Sequence, residues 1–204
     1  MPNQSVAYTV LQGPSCSPFG CNGPLNEVFF SYYKHMDKGG RVALEGVGTV
    51  VGKLAPDFTL PDHLGGSVTL SKAVGKGPVL LVFYPKDFTA VCTKQLCNYS
   101  DNIGAFGKMG VQVFGISHNP ASSHSQFATT YKFPFPLLTD LRNQVTRDFD
   151  ATSLLMLGKP SRAVFIISKQ RVILYRYVEP TVLTHRSADE LLKILQDLRK
   201  NNLV

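Results

Sequence analysis

The chain carries the sequence FYPKDFTAVC at residues 83–92, directly after the apolar run VLLV at residues 79–82. An unbroken apolar run of this length predicts a strand that is covered on both faces. Pro85 ends the strand, because proline has no N–H group to donate to a sheet. We expect a helix from about Cys92 to Lys108, so Cys92 would lie where a strand gives way to a helix.

The chain continues from there with alternating strand and helix patterns. A second strand at residues 111–117 predicts a right-handed βαβ unit with parallel strands. The later segments predict ββα, so we expect an α/β fold: a thioredoxin-like sandwich with a mixed central sheet flanked by helices. The expected later elements are a helix over 121–131, a shorter helix after Asp140, an antiparallel hairpin of strands 162–168 and 171–178, and an amphipathic helix over 187–200 with Leu191, Leu192, Leu195 and Leu198 on its inner face.

The first 46 residues differ in character from the rest of the chain. Glycine and proline punctuate residues 13–20, which predicts a loop. Apolar residues at helical spacing over 28–36 predict a short amphipathic helix, with Asn26 as its N-cap. We therefore divide the chain into an N-terminal extension at 1–46 and a main domain at 47–204. The helix would pack on the main domain or offer a face for docking or self-association.

Composition restricts the class of protein. Of the 204 residues, 44% are hydrophobic and 17% are charged, which favours a buried core over disorder. The net charge of +7 is spread along the chain, so we expect no nucleic-acid partner. No apolar run approaches the roughly 18 residues of a membrane span, so we expect no membrane association.

The N-terminal sequence also suggests a compartment. No basic residue precedes Lys34, so neither a secretory signal nor an Arg-rich transit peptide is visible. We therefore expect a cytoplasmic location, where close cysteine pairs are more often redox or metal centres than structural disulfides.

Cys92 is the candidate nucleophile. Only the thiolate reacts well, and a free cysteine, with a pKa of about 8.5, is mostly protonated at neutral pH. The free N–H groups at a helix start favour an anion, and Arg162 is the candidate for an additional positive charge. Pro85 and the Thr89 hydroxyl could hold a small oxygen electrophile against the sulfur, or they could simply build the turn.

Cys97 follows five residues later. On an ideal helix the Cα atoms of the two cysteines would be about 8.7 Å apart. A disulfide usually needs less than about 7 Å. The helix must therefore unwind locally before Cys97 can reach an oxidised Cys92, and we expect a rebuilt segment around residues 92–99 in the oxidised form.

Several separated motifs resemble the peroxiredoxins. Pro85-x-x-x-Thr89-x-x-Cys92 matches the active-site motif of that family, and CTKQLC at 92–97 resembles its Q-type subfamily, also called bacterioferritin comigratory protein. The resemblance runs from about Gly52 to the C-terminus. It includes APDFTL at 55–60, FPLLTD at 135–140 and SRAVFII at 161–167. The chain departs from the pattern at Ala90-Val91, where many relatives carry Pro-Gly, and at Lys169-Gln170, where Asp-Gly is usual.

The resemblance implies a thiol-dependent peroxidase for hydrogen peroxide and organic hydroperoxides, with no cofactor and no metal. Cys92 would be the peroxidatic cysteine, and Cys97 would resolve its sulfenic acid as an intramolecular disulfide. Thr89 and Arg162 would bind and polarise the peroxide, while Pro85 would shield the sulfenate from water.

The resemblance also suggests how the site is supported and recycled. Gln95 matches a family position that helps to orient the arginine. Thioredoxin or a similar dithiol would regenerate the enzyme. The chain would be a monomer, unless the extension at residues 1–46 makes a dimer.

Other functions stay open at this point. A thiol–disulfide oxidoreductase usually carries Cys-x-x-Cys, whereas four residues separate Cys92 and Cys97. A peroxide-sensing relay would pass its oxidation on to a partner protein. A zinc module could use both cysteine pairs, although Cys16 and Cys21 are more simply a loop pair or an accessory disulfide. We expect each of the five histidines on the surface or in a loop: His35, His63, His118, His124 and His185.

Overall fold

The computed structural model of the chain describes residues 49–153, 159–179, 181 and 183–204. The N-terminal extension, its helix after Asn26 and the pair Cys16 and Cys21 lie outside these residues, and the domain boundary stays a prediction. Within the described part of the chain, no helix is long and apolar enough to cross a membrane.

Fifteen helices and strands make up the described part of the chain. In chain order they are β1 (Thr59–Pro61), β2 (Ser67–Thr69), α1 (Leu70–Val74), β3 (Val79–Phe83), α2 (Ala90–Asp101), α3 (Ile103–Lys108), β4 (Gln112–Ser117), α4 (Ala121–Tyr131), β5 (Leu137–Thr139), α5 (Gln144–Asp148), β6 (Thr152–Ser153), β7 (Lys159–Pro160), β8 (Ala163–Ile167), β9 (Ile173–Val178) and α6 (Ala188–Lys200).

A mixed five-stranded sheet forms the centre of the fold, with the strand order β5-β4-β3-β8-β9. β3 pairs in parallel with β4 and antiparallel with β8, and β8 and β9 form the expected antiparallel hairpin. All five residues of β3 are buried, as expected for a strand covered on both faces. The predicted α/β sandwich with its parallel βαβ unit is confirmed.

Two hydrophobic clusters cover the two faces of the sheet. Leu80 and Val82 of β3 point into one cluster, which also holds apolar residues of α2, α3, α4 and α6. Val79, Leu81 and Phe83 point into the other cluster, which holds residues of α1 and α5. Because side chains alternate along a strand, β3 contributes to both halves of the core. The α2 helix is therefore packed on the sheet just beyond the end of β3.

The single helix expected over 92–108 is in fact two helices, α2 and α3, that meet at Asn102. The Asn102 side chain donates to the Asn98 carbonyl at 2.9 Å, and the Asn102 carbonyl accepts from Ala105 N–H at 2.9 Å. Asparagine thereby ends one helix and starts the next, because its amide competes for backbone groups.

The turn between β8 and β9 explains the unusual Lys169-Gln170. Arg171 N–H donates to the Ser168 carbonyl at 2.9 Å, and Arg171 has a φ of 63°. A turn closed by this hydrogen bond and followed by a left-handed residue makes a three-residue loop, which does not need the glycine of the tightest hairpins.

The closing helix α6 begins within one residue of its expected start. Ser187 and Glu190 form a reciprocal capping box at that start. Leu191, Leu195 and Leu198 are buried on its inner face, whereas Leu192 is only partly buried. This cap fixes the backbone just before α6.

Candidate active site

The loop between β3 and α2 places Cys92 at a helix start. The helix begins at Ala90, two residues earlier than expected, so Cys92 is its third residue. Thr89 is the N-cap, and its carbonyl accepts the Thr93 N–H at 2.9 Å. The Cys92 N–H therefore belongs to the first turn, where backbone donors have no partner within the helix and favour negative charge.

Arg162 reaches the sulfur of Cys92 from the neighbouring strand. Cys92 is fully buried, and Arg162 is 3% exposed. Arg162 Nη1 donates to Cys92 Sγ at 3.1 Å. The strand register causes this meeting: Phe83 pairs with Ala163, so the residue before β8 lies beside the loop that follows β3. A guanidinium N–H directed at a buried sulfur stabilises negative charge on that sulfur.

Gln95 joins this pair from one turn further along α2. Arg162 Nη1 also donates to Gln95 Oε1 at 3.1 Å, and Gln95 is 1% exposed. One guanidinium nitrogen is therefore directed at both the sulfur and the amide oxygen.

Pro85 and Thr89 lie in the loop just before the helix. Pro85 is partly buried and Thr89 is exposed. The Thr89 hydroxyl donates to the Lys86 carbonyl at 3.2 Å, within the loop itself. The structure thus brings Cys92, Arg162 and Gln95 into direct contact, whereas Pro85 and Thr89 lie in the loop that precedes the helix.

Cys97 lies on the same unbroken helix as Cys92, and both cysteines of the described residues are free thiols. Cys97 is partly buried and packs against the core. Burial raises the pKa of the Cys97 thiol, and the negative charge of Asp101 adds to the rise. Cys97 is therefore held as a thiol at neutral pH while the helix is intact.

A buried polar network beside the loop was missed by the sequence analysis. The Asp87 carboxylate accepts from Tyr84 Oη at 2.8 Å, from Ser123 Oγ at 2.7 Å and from His124 Nδ1 at 2.9 Å. Asp87 N–H donates to Asn119 Oδ1 at 3.1 Å. These hydrogen bonds tie the loop before Cys92 to the start of α4.

The expectation that every histidine lies on the surface or in a loop is wrong for His124. His124 is fully buried within α4. The buried residues Phe127 and Ala128 follow three and four positions later, which is the spacing of one helix face. That spacing was the available signal, and it places His124 on the inner face of α4.

The two acidic groups of this network titrate differently. Burial favours the neutral form of Asp87, but the hydrogen bonds from His124 and Ser123 outweigh it and lower the pKa of Asp87 below its ordinary value. Burial and the negative charge of Asp87 raise the pKa of Tyr84 well above its ordinary value. Asp87 is therefore an acceptor at neutral pH and Tyr84 a donor.

Replacing Asp87 by asparagine is expected to lower the free energy of unfolding by about 3 kcal/mol at pH 7, because it breaks a buried pair. The Asp87 carboxylate contributes this stability above its ordinary pKa of about 3.9 and loses it as the pH falls through the lower folded-state pKa. The difference between Asp87→Asn and wild type should therefore shrink below about pH 4.

Urea unfolding at several pH values measures this difference. Asp148→Asn, at an exposed carboxylate of α5, is the control and should change stability by less than about 0.5 kcal/mol. An effect of Asp87→Asn that is as small as the control's, or that does not depend on pH, would show that this network does not stabilise the loop.

Comparisons with known proteins show which family the chain resembles. Residues 51–176 match the family model described as the AhpC/TSA family. Chloroplastic peroxiredoxin Q of Triticum aestivum is 41% identical over 147 residues, which cover 72% of this chain and 67% of the relative. Chloroplastic peroxiredoxin Q of Sedum lineare is 40% identical over 148 residues, which cover 72% of this chain and 78% of the relative.

Solved structures agree with this placement. Peroxidoxin BcpB of Mycobacterium tuberculosis matches with a TM-score of 0.65 and 34% identity, over 73% of this chain and 97% of that one. Peroxiredoxin Q of Xanthomonas campestris matches with a TM-score of 0.62 and 28% identity, over 69% of this chain and 90% of that one.

The expectation of a cytoplasmic location is wrong by the same comparison. The curated relatives from wheat, rice, Sedum lineare and Arabidopsis thaliana are chloroplastic proteins. The expectation relied on the absence of basic residues before Lys34. It gave no weight to residues 1–26, which contain no Asp or Glu, although poverty in acidic residues is another mark of transit peptides.

The comparisons also decide between the functions left open by the sequence. They favour a peroxidase over a general thiol–disulfide oxidoreductase or a sensing relay, because the relatives and the solved structures are peroxiredoxins. Within the described residues, no group of three His, Cys, Asp or Glu side chains is arranged to hold a metal ion. With the family model spanning most of the main domain and the relatives near 40% identity, the chain belongs to the AhpC/TSA family and is a Q-type peroxiredoxin, a thiol-dependent peroxidase.

Proposed function

We propose that Cys92 is the peroxidatic cysteine and that Cys97 resolves it. The observation that carries this proposal is the buried sulfur of Cys92 at a helix start with Arg162 Nη1 at 3.1 Å. The Cys92 thiolate attacks one oxygen of the peroxide, so an S–O bond forms as the O–O bond breaks. The departing oxygen takes up a proton and leaves as water or an alcohol, and Cys92 becomes a sulfenic acid.

Arg162 has two tasks in this reaction. Its guanidinium stabilises the thiolate before the attack, and its positive charge stabilises the negative charge that develops on the departing oxygen. The Thr89 hydroxyl donates to the Lys86 carbonyl at 3.2 Å and would have to leave it to bind the peroxide. Pro85, partly buried beside it, limits the access of water to the sulfenate.

Cys97 completes the cycle. Its sulfur attacks the sulfenic sulfur of Cys92, so an S–S bond forms, the S–O bond breaks and water leaves. Both cysteines lie on one helix, where their Cα atoms would be about 8.7 Å apart, so α2 has to unwind first. Unwinding also exposes Cys97 and removes the burial that raises the pKa of its thiol.

We therefore expect residues 92–99 to lose amide protection when the protein is oxidised by one equivalent of peroxide. Hydrogen–deuterium exchange on the reduced and oxidised forms, read by mass spectrometry, measures this. Peptides from β3 and β8 in the centre of the sheet are the internal control and should exchange equally in both forms. Equal protection of residues 92–99 in the two forms would contradict the unwinding step.

The substrates and partners follow the family. We propose that the enzyme reduces hydrogen peroxide and organic hydroperoxides. Phe88, which precedes Thr89 and is 47% exposed, offers an apolar surface beside the site for an organic substituent. A thioredoxin-like dithiol would reduce the disulfide. Coupled peroxide consumption by wild type and its two cysteine variants tests the whole proposal.

The location and the assembly complete the proposal. The chloroplastic relatives support a plastid location, which a fluorescent fusion of the full chain would test. We propose a monomer, with the extension at residues 1–46 as the route to any dimer. Light scattering of the full chain and of a chain that lacks this extension would separate the two states.

A further inference from the structure

The hydrogen bonds that begin at Cys92 continue beyond Gln95. Gln95 Nε2 donates to Tyr99 Oη at 3.2 Å, and Tyr99 Oη donates to the carbonyl oxygen of Arg186 at 2.6 Å. Gln95 is 1% exposed and Tyr99 is fully buried. A buried chain of hydrogen bonds thus runs from the Cys92 sulfur to the backbone just before α6.

Each member of this chain fixes the orientation of the next. Gln95 and Tyr99 are four residues apart, on one face of α2. The Gln95 amide offers its oxygen on one side and its donors on the other. Tyr99 Oη accepts a hydrogen bond from Nε2 of this amide. The Gln95 Oε1 atom therefore faces the other way, towards Arg162.

The Tyr99 hydroxyl fixes which groups donate and which accept along these hydrogen bonds. Burial raises the pKa of Tyr99 far above neutrality, so the hydroxyl keeps its proton. That proton points at the Arg186 carbonyl, which can only accept. The oxygen of Tyr99 therefore accepts the hydrogen bond from Gln95 Nε2.

The backbone that receives Tyr99 is itself held in place. Ala188 N–H donates to Asn98 Oδ1 at 2.7 Å, so two neighbouring residues of α2 contact the start of α6. The capping box of Ser187 and Glu190 fixes the same segment. The Arg186 carbonyl is therefore a well-defined anchor for the Tyr99 hydroxyl.

We propose that Tyr99 is a positioning residue for the peroxidase reaction, which holds Gln95 so that Arg162 stays on the Cys92 sulfur. This inference rests on the proposed roles of Cys92 and Arg162. Tyr99 touches neither the sulfur nor the peroxide, and it acts through the orientation of the Gln95 amide. Without its hydroxyl, Gln95 Nε2 has lost its acceptor, and the amide can turn its donors towards the guanidinium.

Tyr99→Phe tests the proposal, since it removes one oxygen and keeps the ring. We expect the second-order rate constant for the first oxidation of Cys92 by hydrogen peroxide to fall about three- to tenfold. The pH at which half of Cys92 is alkylated in a fixed time should move upward, because the sulfur loses part of its contact with Arg162. Tyr175→Phe makes the same change at another buried tyrosine, on β9, and should leave both quantities unchanged.

A double-mutant cycle separates positioning from general packing. If Tyr99 acts through Gln95, Tyr99→Phe should have no further effect on either quantity in a Gln95→Leu background. Thermal unfolding of each variant establishes that the reaction is measured on folded protein. A Tyr99→Phe enzyme with the wild-type rate and pH midpoint would overturn the inference. So would a double variant whose loss of rate equals the product of the losses in Tyr99→Phe and Gln95→Leu, because the two residues would then act independently.

The outcome also distinguishes this inference from the proposed function. If the wild-type protein does not oxidise at Cys92 at all, the proposed function has failed. If Cys92 oxidises and Tyr99→Phe behaves as wild type, only the positioning role has failed.

Discussion

Replacing Cys92 by serine is expected to lower peroxide turnover by at least about three orders of magnitude. A serine hydroxyl stays protonated at neutral pH, and within the described residues the hydrogen bond to this position comes from Arg162. The Arg162 guanidinium that stabilises a thiolate cannot take a proton from an alcohol. Turnover is measured with thioredoxin and its reductase, which supply the electrons.

Cys97→Ser is the matched control for this experiment. It keeps Cys92, so the first molecule of peroxide should be consumed at the wild-type rate in a rapid-mixing experiment without reductant. Recycling by thioredoxin should be impaired, because the sulfenic acid has no resolving partner in α2. Substantial turnover by Cys92→Ser would place the reacting sulfur elsewhere in the chain and contradict the account.

Replacing Arg162 by glutamine is expected to lower the rate constant for the reaction with peroxide by about 10²- to 10³-fold, the cost of losing one donor to a developing oxyanion. Arg162→Lys should lie between glutamine and wild type, because lysine keeps the charge but lacks the planar guanidinium whose Nη1 contacts both the sulfur and Gln95. The alkylation midpoint of Cys92 should move to higher pH in both variants.

Arg176→Gln is the control for charge and volume. Arg176 lies on β9, pairs across the sheet with Phe165 of β8, and donates to the Asp150 carbonyl at 3.2 Å. Its loss should leave the peroxide rate unchanged. If Arg162→Gln behaves like Arg176→Gln, the contact at 3.1 Å between Arg162 and Cys92 has no part in the chemistry.

The structure suggests why Cys92 is held on both sides before it reacts. On the N-terminal side, Asp87 ties the loop to α4 through Ser123 and His124. On the C-terminal side, Tyr99 ties α2, the helix that carries Cys92, to the backbone just before α6. Holding the reacting groups in place before substrate arrives lowers the cost of reaching the transition state. Some of these contacts must be released when α2 unwinds for Cys97.

Much of the fold could be read from local sequence pattern. The apolar run of β3 and the helix over 121–131 were predicted closely, because each has a clear period and clear ends. The break at Asn102 is not evident from the pattern, since it depends on the Asn102 side chain donating to the Asn98 carbonyl one turn earlier. The turn at Arg171 depends on one residue in a left-handed conformation. The sequence does not predict this conformation, because the residue is not a glycine.

The residues of the candidate site could be predicted from the sequence, but most of their contacts could not. Cys92, Cys97 and Arg162 stand in recognisable motifs, whereas the contact of Arg162 with Cys92 results from the pairing of Phe83 with Ala163. The partners of Asp87 and Tyr99 are far away in sequence, and no local period brings such hydrogen bonds together. Side-chain networks of this kind emerge from the assembled core, so sequence alone did not predict them.

The measurement that tests the central claim most directly is peptide mass spectrometry of the full-length protein after one equivalent of hydrogen peroxide. The account predicts that the wild type loses the mass of two hydrogens and that the peptide holding Cys92 and Cys97 carries the disulfide. In Cys97→Ser, a sulfenic-acid trap such as dimedone should label Cys92. A wild-type protein without a disulfide between Cys92 and Cys97 after this oxidation, or a sulfenic acid on any cysteine other than Cys92 in the Cys97→Ser variant, would contradict the account.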